Sequence, residues 1–247
     1  MKKKIFCFIP ARLKSSRLPN KMILKLKGKR IINLVHDICK KNSLLDDVYV
    51  ATCDQIIENI SKKNNAKVIK TSFKHQDCIS RVVEAVRKIG SQIKSNDYIL
   101  IVQGDEVCIS NKMLNNFCKT IQKKNLDYFN LLSKINLKKD LNSDSIVKCA
   151  INKKDEIIFM TRYGIPYEKN LKLNKIETYR QTGVIAFTKK TLLKYSRLKK
   201  KYLEKYESID MLRIIENGYK IQAFKVKKRM IGVDTPKDYR EVKKILN

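Results

Sequence analysis

The chain has 247 residues, enough for one large domain or one domain with a sizeable insertion, and its 43% hydrophobic content is enough for a real core. Its net charge of +31 raises the question of nucleic-acid or membrane-surface binding. The lysines are scattered rather than clustered, and no ribonucleoprotein motif or zinc-finger spacing appears, so the charge reads as Lys-rich background that can still draw in anionic substrates.

Seven cysteines, an odd number without a CxxC pair, argue for a reducing cytoplasm and against a disulfide scaffold or structural zinc site. Several sit in apolar runs, where a free thiol behaves as a small hydrophobe. The start MKKKIFCFIPAR is basic, but its apolar run is too short for a secretion signal. No run approaches the roughly 18–20 apolar residues of a membrane span. The expectation is a cytoplasmic protein without membrane insertion.

In chain order, IFCFI (5–9) predicts a buried strand and 31–41 a helix. A strand follows at 47–52, a helix at 55–63, a strand at 66–71 and a helix at 79–89. The series continues with a strand at 97–103 and a helix at 111–124. This β-α alternation predicts an α/β fold, a mainly parallel Rossmann-like sheet with helices on both faces. After residue 125 the rhythm changes. Segments 128–133, 146–152, 156–161 and 180–188 read as strands, and 134–145 as a polar loop. A helix is expected over 203–218 with Gly218 as its C-cap, then a strand at 220–226 and a closing helix at 236–246 with Pro236 in its first turn. The implied plan is a single domain. Residues 1–125 form the α/β part, 126–235 a mixed or antiparallel extension, and 236–247 the closing helix.

Sites on parallel sheets lie beyond the carboxyl ends of the strands, near a switch in strand order. After the first strand comes PARLKSSRLPNK, with Arg12, Lys14, Arg17 and Lys21. Four cations in a proline-bounded loop suit a polyphosphate, although a solvated basic loop looks the same in isolation, and no P-loop glycines are present. VQGDE (102–106) places Asp105 and Glu106 at a strand end, where they could hold Mg²⁺ or simply form an acidic turn. In IGVDTPKD, Asp234 could be a helix N-cap or a second metal carboxylate. His75 has no metal partner nearby, and His36 reads as structural.

Taken in order, IPARLKSSRLPNK, VYVATCD, HQDCISRV, NDYILIVQGDE, IVKCAI, FMTRYGIPYE, RQTGVIAF, ESIDMLRIIENGYKI and IGVDTPKDYREV resemble the 3-deoxy-manno-octulosonate cytidylyltransferases, or CMP-Kdo synthetases. The resemblance runs from about residue 4 to the C-terminus. It implies a nucleotide-diphospho-sugar transferase fold, commonly a homodimer, with 1–125 as the nucleotide-binding part and 126–235 as the sugar-binding and dimerisation part. The activity implied is the Mg²⁺-dependent coupling of CTP to Kdo, giving CMP-Kdo and pyrophosphate for lipopolysaccharide or capsule assembly. It further implies that Arg12 and Lys21 bind the triphosphate, with Ala11, Lys14, Ser15 and Arg17 beside the nucleotide. Gln76 and Arg81 would help enclose the cytidine, and Asp105 and Asp234 would bind magnesium. Gln103, Arg162, Gln181, Asp210 and Met211 would lie on the sugar side. Arg12, Lys21 and Asp105 are the expected catalytic groups.

The chain departs from the family at several places. Cys78 and Ile79 stand where Gly and Thr are usual, and Asn20 replaces Gly. Gln181 replaces the sugar-side His, and Asp210 and Met211 replace a Glu-Gln pair. These changes leave open a related 2-keto-3-deoxy sugar acid, or an amino variant of Kdo, as acceptor. Three other readings compete: a CMP-nonulosonate synthetase of the acylneuraminate kind, a basic nucleic-acid-binding protein, and an inactive relative.

Overall fold

The computed structural model describes residues 3–167 and 177–246. Glu168, at the end of the FMTRYGIPYE motif, and Asn247, at the end of the closing segment, lie outside them. The first half alternates as the hydrophobic spacing requires. It runs β1 (Ile5–Ala11), a small hairpin of β2 (Lys25–Leu26) and β3 (Lys29–Arg30), α1 (Ile31–Lys40), β4 (Asp47–Thr52), α2 (Gln55–Lys63), β5 (Lys67–Lys70), α3 (Cys78–Ile89), β6 (Tyr98–Val102) and α4 (Asn111–Lys124). The second half comprises β7 (Tyr128–Lys134), α5 (Lys138–Leu141), β8 (Lys148–Ile151), β9 (Glu156–Thr161), β10 (Tyr179–Thr188), α6 (Lys189–Tyr195), α7 (Tyr202–Glu207), α8 (Leu212–Glu216), β11 (Ile221–Val226) and α9 (Pro236–Leu246).

Among the described residues the main sheet has nine strands in the order β5-β4-β1-β6-β10-β7-β11-β9-β8. The pairs β5–β4, β4–β1 and β1–β6 are parallel, and β10 then joins β6 antiparallel. The expected change of rhythm after residue 125 is therefore a change of pairing within one continuous sheet. β1 shows why both faces are covered. Ile5, Cys7 and Ile9 pack into one core, while Phe6 and Phe8 point into the other. Successive side chains of a strand alternate sides, so an unbroken apolar run needs helices on both faces.

Helix boundaries follow their caps. The Asp77 carboxylate accepts from Ser80 N at 2.7 Å to start α3, and Ser110 does the same for α4 through Met113 N at 3.2 Å. The structure corrects four expectations. Residues 203–218 are two helices, because Ser208 turns left-handed at φ 53° and ends α7. The buried Arg213 then pairs with Glu204 at 2.7 Å, folding α8 back on α7. The polar segment 134–145 contains the single turn α5. Residues 189–195, given no element from sequence, form α6 behind a Thr188 cap. Asp234 does not cap α9. Thr235 accepts from Asp238 N at 3.1 Å while Asp238 accepts from Thr235 N at 2.8 Å, a reciprocal capping box.

β10 carries an irregularity between Gln181 and Ile185 in its pairing with β7. The fully buried Asn130 stabilises it, donating to Thr182 O at 3.1 Å and Val184 O at 3.0 Å. Replacing Asn130 with Ala leaves those carbonyls short of a donor. Urea unfolding should show a loss of about 1–3 kcal/mol; a change under ~0.5 kcal/mol would show that the bulge does not need the amide.

Candidate active site

A cleft of about 940 Å³ opens beyond the carboxyl ends of β1 and β6. That is where the parallel part of the sheet changes strand order around β1. Its first wall is the loop after β1. Leu13 N donates to Asp54 Oδ2 at 2.9 Å, and Asn20 N closes the loop on Leu13 O at 3.3 Å. Asn20 takes the left-handed conformation, φ 57° and ψ 21°. Asparagine enters that region more readily than other side-chain-bearing residues, so it serves where the family has glycine. Lys21 follows directly on a one-turn 3-10 helix and points into the cleft.

The second wall is the turn after β6. Gly104 fits closely, since a Cβ there would sit 3.0 Å from both Ile32 and Met22. Val233 N donates to Asp105 O at 3.1 Å, which brings the IGVDTP segment alongside QGDE. Lys21 Nζ therefore reaches both aspartates, hydrogen-bonding Asp105 Oδ2 and lying 2.9 Å from Asp234 Oδ1. Arg17 pairs with the other oxygen of Asp234. Burial alone would push the Lys21 ammonium down, but Asp105 and Asp234 outweigh it and hold the pKa up. Lys21 is a fixed cation at neutral pH.

Two carboxylates that converge on one cation form a hard oxygen donor pair, which suits a divalent cation. Among the described residues no three His, Cys, Asp or Glu side chains form a metal-sized group. The pair would therefore leave further coordination positions to phosphate and water.

Glu106 lies behind this pair, 6% exposed. Its Oε1 accepts from Gly183 N at 2.6 Å and its Oε2 has no partner. Burial, then the charge of Asp105, pushes its pKa up to about 7. Gly183 is required for this contact, because a Cβ there would lie 2.7 Å from the Gln103 side chain.

Of the remaining expected residues, Ala11, Arg12, Lys14, Ser15 and Gln76 line the cleft on the side of the β1 loop, and Arg12 donates to His75 O at 3.4 Å. Arg81 is buried at the cleft margin and holds the 71–72 segment through Thr71 Oγ1 at 2.6 Å and Ser72 O at 3.3 Å. Gln103, Arg162, Gln181 and Asp210 line the other end. Gln103 Nε2 approaches Cys78 Sγ at 3.4 Å, and that thiol faces Asp210 Oδ2 at 3.8 Å. Burial, then Asp77 and Glu204, pushes the Asp210 pKa up to about 6.

Met211 does not join them. It is wholly buried in the core and does not line the cleft, because the turn after Ser208 directs Asp210 to the cleft and its neighbour inward. Ile79 is likewise a core residue. Sequence reasoning missed Phe73, 80% exposed on the rim, and Arg180 beside Gln181. It also missed the Ser145–Val147 stretch of the wall. None carries a spacing pattern; proximity in sequence to HQDCISR and RQTGV was the available signal.

A cationic loop after the first strand, opposite paired carboxylates that suit a metal, is the arrangement of a nucleotidyl-transfer enzyme on an α/β sheet. The chain belongs to the cytidylyltransferase family, whose model matches residues 6–221. It is 34% identical over 249 aligned residues to the 3-deoxy-manno-octulosonate cytidylyltransferase of Francisella tularensis subsp. tularensis (strain SCHU S4 / Schu 4), covering 98% of each chain. It is 30% identical over 248 residues to the enzyme of that name from Thermodesulfovibrio yellowstonii (strain ATCC 51303 / DSM 11347 / YP87), covering 98% of this chain and 97% of the relative. A solved structure of CMP:2-keto-3-deoxy-manno-octonic acid synthetase complexed with CTP superposes with a TM-score of 0.87 at 28% identity, covering 98% of both chains. A 4-diphosphocytidyl-2C-methyl-D-erythritol synthase shares the fold, with a TM-score of 0.69 at 13% identity and full coverage of both chains.

The Asn20 turn gives a direct test. Asn20→Gly should retain activity, whereas Asn20→Val should cost about 1–2 kcal/mol and displace Lys21. Thermal melting and turnover measured together check this; an active, fully stable Val variant would show that the turn is not needed.

Proposed function

We propose that the protein activates Kdo with CTP, giving CMP-Kdo and pyrophosphate. The carrying observation is the Asp105–Lys21–Asp234 bridge at the mouth of the β1 loop, which joins phosphate-type cations to metal-type carboxylates in one cleft. The relatives and the CTP-bound structure favour this reading over a nonulosonate acceptor or a nucleic acid.

In this reading Arg12, Lys14, Ser15 and Arg17 receive the triphosphate, with Ala11 beside the nucleotide. Gln76 lies against the cytidine, and Arg81 keeps that loop in place. Asp105 and Asp234 would hold Mg²⁺, which when bound polarises phosphate oxygens and lowers the pKa of a nearby hydroxyl. Lys21, on the loop after β1 and beside both aspartates, would reach the phosphates from there. The sugar hydroxyl oxygen forms a bond to the α-phosphorus and gives up its proton. The bond from that phosphorus to the pyrophosphate oxygen breaks, and Arg12 and Lys21 stabilise the charge gained by pyrophosphate.

At the sugar end, Arg162 uses three of its five N–H groups on the carbonyls of Glu207, Asp144 and Ser208. Two remain for a sugar carboxylate, a geometry that guanidinium offers in bidentate form. Gln103, Gln181 and Asp210 are placed to meet sugar hydroxyls. Cys78 and Gln181 line this end in place of the family's usual Gly and His, so a related sugar acid belongs in the same assay. Among the described residues no helix is long and apolar enough to cross a membrane. A cytoplasmic homodimer that uses the 126–235 part as its interface, with a product destined for surface polysaccharide, completes the proposal.

Pyrophosphate release from CTP and Mg²⁺ should occur with Kdo, stop on chelation with EDTA and return with added Mg²⁺. Lys21→Ala should lower kcat by about 10²–10³-fold. Release only with a different sugar acid would move the acceptor assignment, and release unaffected by EDTA would remove the metal role of Asp105 and Asp234.

A further inference from the structure

The sugar end of the cleft is built around a second cation that nucleotidyl transfer does not call for. Lys148 lies on β8 and is wholly buried. Its ammonium donates to Ser143 O at 2.7 Å, to Ile146 O at 2.8 Å and to Arg162 O. Every N–H of the ammonium therefore goes to a backbone carbonyl. The charged groups that face it are Arg162, Asp144, Glu207 and Arg180. Asp144 and Glu207 act on it through space, and among the described residues no carboxylate forms an ion pair with it.

Arg162 grips the same structure from the other side. Its guanidinium donates to Asp144 O at 3.0 Å, and its backbone N–H donates to Glu207 Oε2 at 2.9 Å. The loop 143–146 is thus held between two cations. That loop leads into the cleft wall, where Val147 O accepts from Gln181 N at 2.9 Å. A buried ammonium without a contacting carboxylate is costly to keep, and an apolar side chain of the same length would fill the space more cheaply. An anion bound in front of Arg162 would supply the compensating charge.

We infer that Lys148 is a positioning residue for the acceptor, fixing the 143–146 loop and the Arg162 backbone while adding a positive charge beside Arg162 at neutral pH, so that this end of the cleft selects an acceptor bearing a carboxylate. The inference rests on the sugar-acid reading above. It predicts that Lys148 affects the acceptor and not CTP, whose loops lie at the other end.

The charge also makes the effect pH-dependent. Burial, then the neighbouring Arg162, pushes the Lys148 pKa down to about 8 from 10.5. The three carbonyls pull the other way. A neutral amine has only two N–H groups, so on deprotonation one carbonyl loses its donor and the positive charge disappears. Because the folded value lies below the unfolded one, the group costs stability while charged, and that cost fades as pH rises from about 8 towards 10.5. Weaker acceptor binding in that window would therefore not come from Lys148 loosening the fold.

The test is steady-state pyrophosphate release by the full chain with CTP, Mg²⁺ and Kdo, for wild type and Lys148→Met, from pH 7 to 9.5. Thermal melting is recorded at each pH. Lys148→Met should raise KM for Kdo about tenfold or more while KM for CTP stays within about twofold. Wild-type KM for Kdo should climb above pH about 8 with no fall in melting temperature, and the variant should lose that climb. Equal changes in both KM values, or a lower melting temperature with KM for Kdo unchanged, would make Lys148 a structural residue only. If Lys148→Met does not fold, the wild-type pH series decides: a flat KM for Kdo overturns the inference. Wild-type failure with every sugar acid instead overturns the functional reading, and this inference falls with it.

Discussion

One ammonium joins the parts of this molecule that matter for chemistry. Lys21 comes from the loop after the first strand, Asp105 from the turn after β6 and Asp234 from the segment before the last helix, 213 residues away. Their meeting depends on the Val233–Asp105 backbone bond and on the reciprocal Thr235–Asp238 cap, which leaves Asp234 free of helix duty. Without a cation between them, two carboxylates so close would repel each other. The lysine thus preorganises the site, and the same carboxylate pair would later serve a metal.

The rest of the cleft is ordered by charge and burial. In the loop after β1 the cations Arg12, Lys14 and Arg17 are exposed. At the sugar end the charges are enclosed. Lys148 is sealed by carbonyls, Arg162 is half-satisfied by them, and Asp210 sits half-buried against a thiol. Glu106 stands between the two ends with one oxygen tied to Gly183. Such groups respond strongly to their surroundings because little water is present to screen them.

The departures from the family pattern fall into two kinds. Asn20 preserves a backbone conformation by other means, and Ile79 and Met211 have become part of the core. Cys78 and Gln181 remain at the cleft surface, and Cys78 lies between Gln103 and Asp210. Changes of the first kind concern stability. Those of the second kind alter the donors and acceptors that the cleft presents.

Sequence alone determined the alternation of strands and helices as far as α4, because apolar periodicity is local and repeats every two or 3.6 residues. It also determined the order of the cationic loop and the two acidic turns, whose meaning came from the resemblance of all the motifs together. Tertiary structure alone decided what those residues do to one another. The left-handed Ser208 splits a continuous helical pattern, and so sends Asp210 to the cleft and Met211 to the core. Lys148 reads as an ordinary lysine in IVKCAI, yet the carbonyls of Ser143, Ile146 and, from the neighbouring strand end, Arg162 enclose it. Hydrogen bonds between residues far apart in the chain leave no periodic trace in it, and those bonds built the two ends of the cleft.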